Sequence, residues 1–463
     1  MVSITSKTEA LIDRKRHAHS DTGFAPVFMP DSLFDFQGHL VDWSVRKGRS
    51  AILADCGLGK SPMQLTFAEN VVRKANKPVL LLTPLAVSSQ MVKEAEKFGI
   101  DAIKCSDGKF QSGSRVVVTN YDRLHHFNHS DFAGLVCDES SILKNCDGMT
   151  RAAVTDFSRK MSYRLLCTAT PSPNDLIELG TSSEALGYMG FNDMLTTFFK
   201  KDQDRKTHSR KDEFRAGLWR FRGHAERHFF RWLCSWSRAV RKPSDLGFSD
   251  DRFVLPELVT EEVIVAAAKP AEGMLMSLPA VGLAEQRSER RRTLTQRCEA
   301  AAGRHNAHDG SGVAWCQLND EGDMLAKLID GAVQISGSDA VEFKEESLEA
   351  FASGQIKKLV TKSEIAGFGL NWQHCRHQTY FPSHSFEQFY QGIRRSWRFG
   401  QEMPVHVDIV ASEGERGVMS NMMRKAANAD LLFSNLVKMM GDELHIENLD
   451  LHKQPTELPQ WLA

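Results

Sequence analysis

Gly57-Leu58-Gly59-Lys60-Ser61 puts two glycines, an ammonium and a hydroxyl into one short stretch. It lies between an apolar run ending at Ala54 and a helical pattern over 63–74. A strand that gives way to glycines and then to a helix N-terminus gathers backbone N–H groups at one point, and such a point holds an anion. Gly57 and Gly59 let the backbone approach a phosphate closely, Lys60 supplies a cation for terminal phosphates, and the Ser61 hydroxyl suits Mg²⁺. Ala54 stands where the full GxxxxGK[ST] pattern has its first glycine. Pro62 is tolerated in the first helical turn, where its missing N–H would have no intrahelical partner.

Two further groups fit the same chemistry. Asp138-Glu139 ends the apolar run Leu135-Val136-Cys137. Adjacent acids at a strand end can divide labour, Asp138 holding Mg²⁺ and Glu139 orienting and deprotonating a water. Arg395 and Arg398 lie in the run from Gln391 to Gln401. Their spacing places them on one helix face, suited to reach a γ-phosphate across a cleft; a basic surface helix has the same pattern. Phe36-Gln37 upstream of the glycine loop would stack on and hydrogen-bond a purine, or else serve as core and helix cap. Thr168 and Thr170, at the end of another apolar run, would sense a phosphate.

The elements that must position these groups follow from alternation. Apolar β-rich runs at 79–83, 115–119 and 135–137 alternate with helix-period segments at 86–98 and 121–127, which implies a parallel sheet covered on both faces. Ligands then sit at the carboxyl ends of the strands. Alternation resumes from 313 to 440 with no second phosphate loop, so a second α/β domain is expected. The boundaries read as an extension over 1–30, a first lobe over 31–180, helical insertions and linker over 181–304, a second lobe over 305–440 and a tail over 441–463.

Between 200 and 242 there are 14 Lys/Arg against 5 Asp/Glu, interleaved with Trp219, Phe221, Phe229, Phe230, Trp232 and Trp236. The stretch 225–240 has no breaker and reads as helix. Basic residues with aromatics can track a nucleic-acid backbone; the alternative is a solvated helical insertion whose rings form a private core. Arg290-Arg291-Arg292, in a second helical stretch, fits a solvated face as well. Net charge is −1, so any nucleic-acid signal must be local. Nine scattered cysteines without a CxxC pair read as buried thiols rather than disulfides or a zinc site. No apolar run nears 18 residues and no export signal opens the chain, which argues against a membrane partner.

Taken in order, the motifs resemble those of superfamily 2 helicases, in the chromatin-remodelling (switch/sucrose non-fermenting) DNA translocase branch, and most closely its compact phage and prophage versions. The resemblance rests on Phe36-Gln37, the 55–61 loop, Leu82-Thr83-Pro84-Leu85, Val118-Thr119-Asn120-Tyr121, Asp138-Glu139-Ser140-Ser141, Thr168-Ala169-Thr170-Pro171, Arg241-Lys242, Gly367-Phe368-Gly369-Leu370-Asn371 and the 391–401 run. It implies an α/β fold of two RecA-like doubly wound parallel-sheet lobes with a helical insertion, and ATP with Mg²⁺ as cofactors. Lys60, Glu139, Arg395, Arg398 and Gln391 would be catalytic, the two arginines as fingers. Phe36, Gln37, Gly57, Leu58, Gly59, Lys60, Ser61 and Gly369 would bind nucleotide, and Ser61 with Asp138 would hold the metal. Thr83, Pro84, Thr119, Asn371, Arg241 and Lys242 would face DNA, double-stranded by preference. The implied protein is cytoplasmic, in a bacterial host if phage-encoded, with phage or host replication and recombination proteins as partners; the alternative is a strand-separating DNA or RNA helicase. Ser140-Ser141 replaces the usual Ala-His, and Trp397 a common His, so coupling of hydrolysis to movement would differ in detail.

Overall fold

The computed structural model describes residues 22–451, apart from 85–86, 111–112, 114, 145–147, 173–174, 202–218, 267–282, 367–370 and 384. In chain order the strands are β1 (Arg49–Ala54), β2 (Val79–Thr83), β3 (Ala102–Lys104), β4 (Val116–Asn120), β5 (Gly134–Cys137), β6 (Tyr163–Thr168), β7 (Phe199–Lys201), β8 (Trp219–Phe221), β9 (Ser237–Val240), β10 (Leu258–Val265), β11 (Gly312–Trp315), β12 (Ala332–Ile335), β13 (Lys358–Thr361), β14 (His377–Tyr380) and β15 (Val405–Ser412). One parallel sheet runs β3-β4-β2-β5-β6-β1-β9 and a second runs β10-β15-β14-β11-β13-β12. With helices between the strands, these are two RecA-like α/β lobes, as expected.

Side-chain alternation explains why both sheets are covered on both faces. Along β1, Ala51 and Leu53 enter one apolar cluster while Ile52 and Ala54 enter the cluster on the opposite face. In the second lobe Val313 and Trp315 point to one core and Ala314 and Cys316 to the other. Residues 27 and 28, just before the first lobe, are tied down as well, since Asn70 Oδ1 accepts from the Val27 and Phe28 N–H groups at 2.7 and 3.0 Å.

The stretch 181–304 differs from its sequence reading, because β9 joins the first sheet beside β1 and β10 joins the second beside β15. The expected helix over 225–240 stops at Cys234. Beyond it, Ala51 N–H donates to Trp236 O (2.9 Å) and Asp55 N–H to Val240 O (3.0 Å), so pairing with an open sheet edge decides the conformation over local propensity.

The aromatic rings of this stretch are core. Phe229, Phe230, Trp232 and Trp236 are buried with Phe433, Leu436 and Met440 of the last helix, Arg416–Leu451, which crosses back from the second lobe onto the first. These four rings are therefore closed to base stacking.

Candidate nucleotide cleft

β1 delivers the chain to the glycine loop, and the helix Lys60–Ala75 leaves it with Gly59 at its N-cap. Gly57 and Gly59 have φ of +88° and +73°, where a side chain is strained. Crowding adds a second requirement. A Cβ on Gly59 would lie 2.2 Å from Gln37 Nε2, and one on Gly57 would lie 2.8 Å from the Phe399 nitrogen of the second lobe. Lys60 folds back, its Nζ donating to Ala54 O (3.1 Å) and Asp55 O (3.3 Å). Gln37 braces the loop from outside, donating to Leu58 O at 2.9 Å and accepting from Phe34 N–H at 3.1 Å. Leu58 and Phe36 are buried, the Phe36 ring against Phe34 and Phe253.

The acid pair follows β5. Gln64, on the glycine-loop helix, donates to Asp138 Oδ1 at 2.7 Å, and Tyr121 Oη donates to Asp138 O at 2.5 Å. Burial, and then the charge of Glu139, push the Asp138 carboxyl above its ordinary range, while Gln64 and Lys60 pull it back. Glu139 has φ of +48°, a left-handed backbone for a non-glycine residue, which costs about 1–3 kcal/mol and is typical of functional sites. Its Oε2 is buried without a protein partner.

From the second lobe come the arginines. The helix Phe386–Ile393 is capped by Ser385 and stops before them, so Arg395 and Arg398 lie on the turns that follow rather than on a helix face. They still reach one place. A cleft of about 80 Å³ is lined by Gly57, Gly59, Lys60 and Ser61, by Asp138 and Glu139, and by Arg394, Arg395 and Arg398. Burial lowers Arg395, and burial with the neighbouring Arg395 pulls Arg398 down to about 10. Gln391 stands one turn back, its carbonyl accepting from Arg395 Nε at 3.2 Å and its Nε2 buried and unpartnered.

Several residues of this site carried no assignment in the sequence. Glu94, on the helix Ser88–Lys97, lines the cleft with Ser61; burial raises its carboxyl, against the pull of Lys97, Ser61 and Arg398. Arg394 Nη2 meets Asp55 Oδ2 at 2.5 Å with both side chains buried, and Tyr390 Oη also donates to Asp55. Thr170 Oγ1 reaches Glu387 Oε1 of the second lobe at 3.4 Å, and Lys144 pairs with the same carboxylate. Behind Arg394 lies a larger apolar cavity of about 340 Å³ between the Thr170-Pro171-Ser172 turn and the second lobe; its polar groups are few and it does not reach the glycine loop.

The six residues assigned to DNA are scattered in their surroundings. Thr83 is buried with its hydroxyl on Ser88 Oγ (2.8 Å), Thr119 is buried with its hydroxyl unpartnered, and Pro84 is half-buried. Asn371 is exposed and lines the phosphate cleft. Arg241 is engaged by Asp430 and Ser434 of the last helix, and Lys242 lies 3.5 Å from Asp250. Gly369 lies outside the described residues.

ATP and Mg²⁺ fit this donor set. The glycine cradle has no room for a Cβ, and an ammonium and two guanidiniums surround it. Asp138 with the Ser61 hydroxyl offers oxygen ligands beside an unpartnered Glu139 oxygen. Among the described residues no cluster of three or more His, Cys, Asp or Glu could hold a metal alone. No helix among them is long and apolar enough to cross a membrane.

Residues 36–222 match the sequence profile of the SNF2-related domain. Over 481 aligned residues the chain is 24% identical to an uncharacterized ATP-dependent helicase, YqhH, of Bacillus subtilis (strain 168), covering 92% of this chain and 84% of that protein. Over these stretches the chain is similar to SNF2-related domains and to a protein described as an ATP-dependent helicase.

Proposed function

We propose that this chain is an ATP-hydrolysing motor that moves along double-stranded DNA without separating its strands. The observation that carries the reading is the cleft itself, where Lys60, Ser61, Asp138 and Glu139 of the first lobe meet Arg395 and Arg398 of the second. Hydrolysis built in this way depends on the lobes being docked, so turnover and lobe movement are one event.

In this reading Lys60 and the loop N–H groups bind the β- and γ-phosphates, Ser61 and Asp138 hold Mg²⁺, and Glu139 takes the proton of the attacking water. Mg²⁺ held there would supply charge neutralisation to the phosphates. Arg395 and Arg398 stabilise charge on the transferring phosphoryl group. Gln37 reads the base on leaving Leu58 O. The two lobes divide between β9 and β10, with the half-buried Pro84 and the exposed Lys200, Lys201 and Lys242 toward the duplex. A cytoplasmic role in phage replication, recombination or remodelling rests on the resemblance of the motifs.

ATPase rate is measured alone and with double-stranded DNA, single-stranded DNA and RNA, and strand displacement is followed on a plasmid-borne triplex and on a forked duplex. Stimulation by duplex DNA with release of the third strand and an intact fork supports the proposal. Opening of the fork, or stimulation by RNA alone, replaces it with a strand-separating helicase.

A further inference from the structure

The turn that carries the two cleft arginines is held at both of its ends. At the front, Arg394 Nη2 meets Asp55 Oδ2 at 2.5 Å and Tyr390 Oη at 3.2 Å, with the guanidinium 4.5 Å from the centre of the Trp397 ring. Asp55 is itself part of the glycine loop, where its Oδ1 accepts from Cys56 N–H at 2.6 Å as well as from Tyr390. At the back, Phe399 stacks on Phe253 with ring centres 4.5 Å apart and meets Phe34 edge-on at 6.0 Å. Phe34 belongs to the first lobe, and Phe253 to the segment between the lobes. Gly57 allows this approach, since its missing Cβ leaves room for the Phe399 nitrogen.

Arg395 and Arg398 fall between these anchors. We propose that Arg394 and Phe399 are positioning residues that stake residues 395–398 to the first lobe, docking the lobes and aiming both arginines at the phosphate loop before nucleotide binds. The chemistry of the anchors supports this division of labour. Arg394 has its Nη2 committed to a carboxylate and a phenol, and both carboxylate oxygens of Asp55 are engaged. A buried charge pair that spans two lobes is lost at high cost if only one partner is removed, because the other is left buried and uncompensated. The phenylalanines add a contact that no phosphate can replace. Asp55 joins the two functions, since the carboxylate that shapes the loop at Cys56 also receives the second lobe.

The proposal rests on the motor reading for what the arginines do, but its test reads geometry without ATP. Fluorophores are placed through non-natural amino acids at the exposed positions Glu96 and Glu402, one in each lobe, and single-molecule energy transfer is recorded on the full chain without nucleotide or nucleic acid. The expected result is one high-transfer population in the parent chain and a shift to lower transfer in Arg394→Ala, in Phe399→Ala and, further, in the double variant. Turnover should fall about 10²-fold, the scale of a misplaced catalytic group, with affinity for a fluorescent ATP analogue changing far less. Arg394→Lys keeps the charge without the planar fork and should recover part of the transfer; it also serves if Arg394→Ala does not fold. Unchanged transfer in Arg394→Ala and Arg394→Lys overturns the proposal, and unchanged transfer with turnover abolished would make Arg394 a phosphate-contacting group. If the chain hydrolyses no ATP at all, the transfer measurement still decides whether these residues dock the lobes.

Discussion

Gln64 Nε2 donates to Asp138 Oδ1 at 2.7 Å, so the helix that starts at the phosphate loop also fixes the acid after β5. The bond joins two motifs 74 residues apart and opposes the burial and Glu139 charge that push Asp138 toward protonation. Gln64→Met, of similar shape, is expected to weaken Mg²⁺ binding on the order of 10- to 100-fold, the range for a residue that orients a metal ligand. The apparent Mg²⁺ requirement of ATP turnover should rise, more so at pH 6 than at pH 8 because the undonated carboxyl retains its proton further. An unaltered Mg²⁺ titration would show that Gln64 serves packing alone.

Lys60→Ala and Glu139→Gln should both abolish hydrolysis and differ in binding. Without its ammonium the loop loses affinity for nucleotide, whereas Glu139→Gln keeps the cradle and Asp138 and should hold ATP without turning it over. Equilibrium binding of a fluorescent ATP analogue separates them; equal loss in both variants contradicts the roles assigned.

Arg395→Ala and Arg398→Ala should leave nucleotide affinity largely intact and lower the maximal rate on the order of 10³-fold or more. Steady-state kinetics with duplex DNA at saturating ATP make the check. Turnover near that of the parent chain in both variants would return the arginines to a structural role.

What was legible in the sequence is what local chemistry fixes. Glycines at 57 and 59, the acids at 138 and 139 and the parallel alternation declare themselves because strand ends and helix starts are local features with characteristic residues. The helix expected over 225–240 failed at β9, where Ser237-Arg238-Ala239-Val240 carries no breaker and only the neighbouring edge of β1 makes it a strand. For the rings around Trp232 the sequence leaves a nucleic-acid surface and a private core both open, because the partner that decides for core, Phe433, comes from a helix far along the chain. Arg394 and Asp55 stand 339 residues apart, and no periodicity announces a pair at that separation. Glu94 is illegible for a simpler reason, being one acid among several on an amphipathic helix until the fold turns it toward Ser61.

Acid should loosen the second lobe through a histidine cluster at the N-terminal ends of its strands, away from the cleft. His305 is fully buried, with Nε2 3.1 Å from Thr379 Oγ1 and Nδ1 unpartnered. Its ring lies 4.7 Å from that of His377, which meets Asp408 at 2.9 Å and lies 5.2 Å from the His308 ring. Lys358 Nζ donates to the carbonyl of His305 at 2.8 Å, and Arg304 stands 3.5 Å from Asp408. Burial, then the charges of His377, Lys358 and His308, hold His305 well below its ordinary range. The unfolded chain therefore takes up a proton below about pH 6.5 that the folded lobe refuses, so stability from this group is full above that pH and is lost as pH falls toward the folded value. The slope is about 1.4 kcal/mol per pH unit for one proton. Hydrogen exchange of the β14 amides between pH 5 and 8, corrected for intrinsic rates, should show protection falling below about pH 6.5. His305→Gln should flatten that fall; a pH dependence identical in the variant would exonerate His305 and shift the effect to His308 or to the carboxylates.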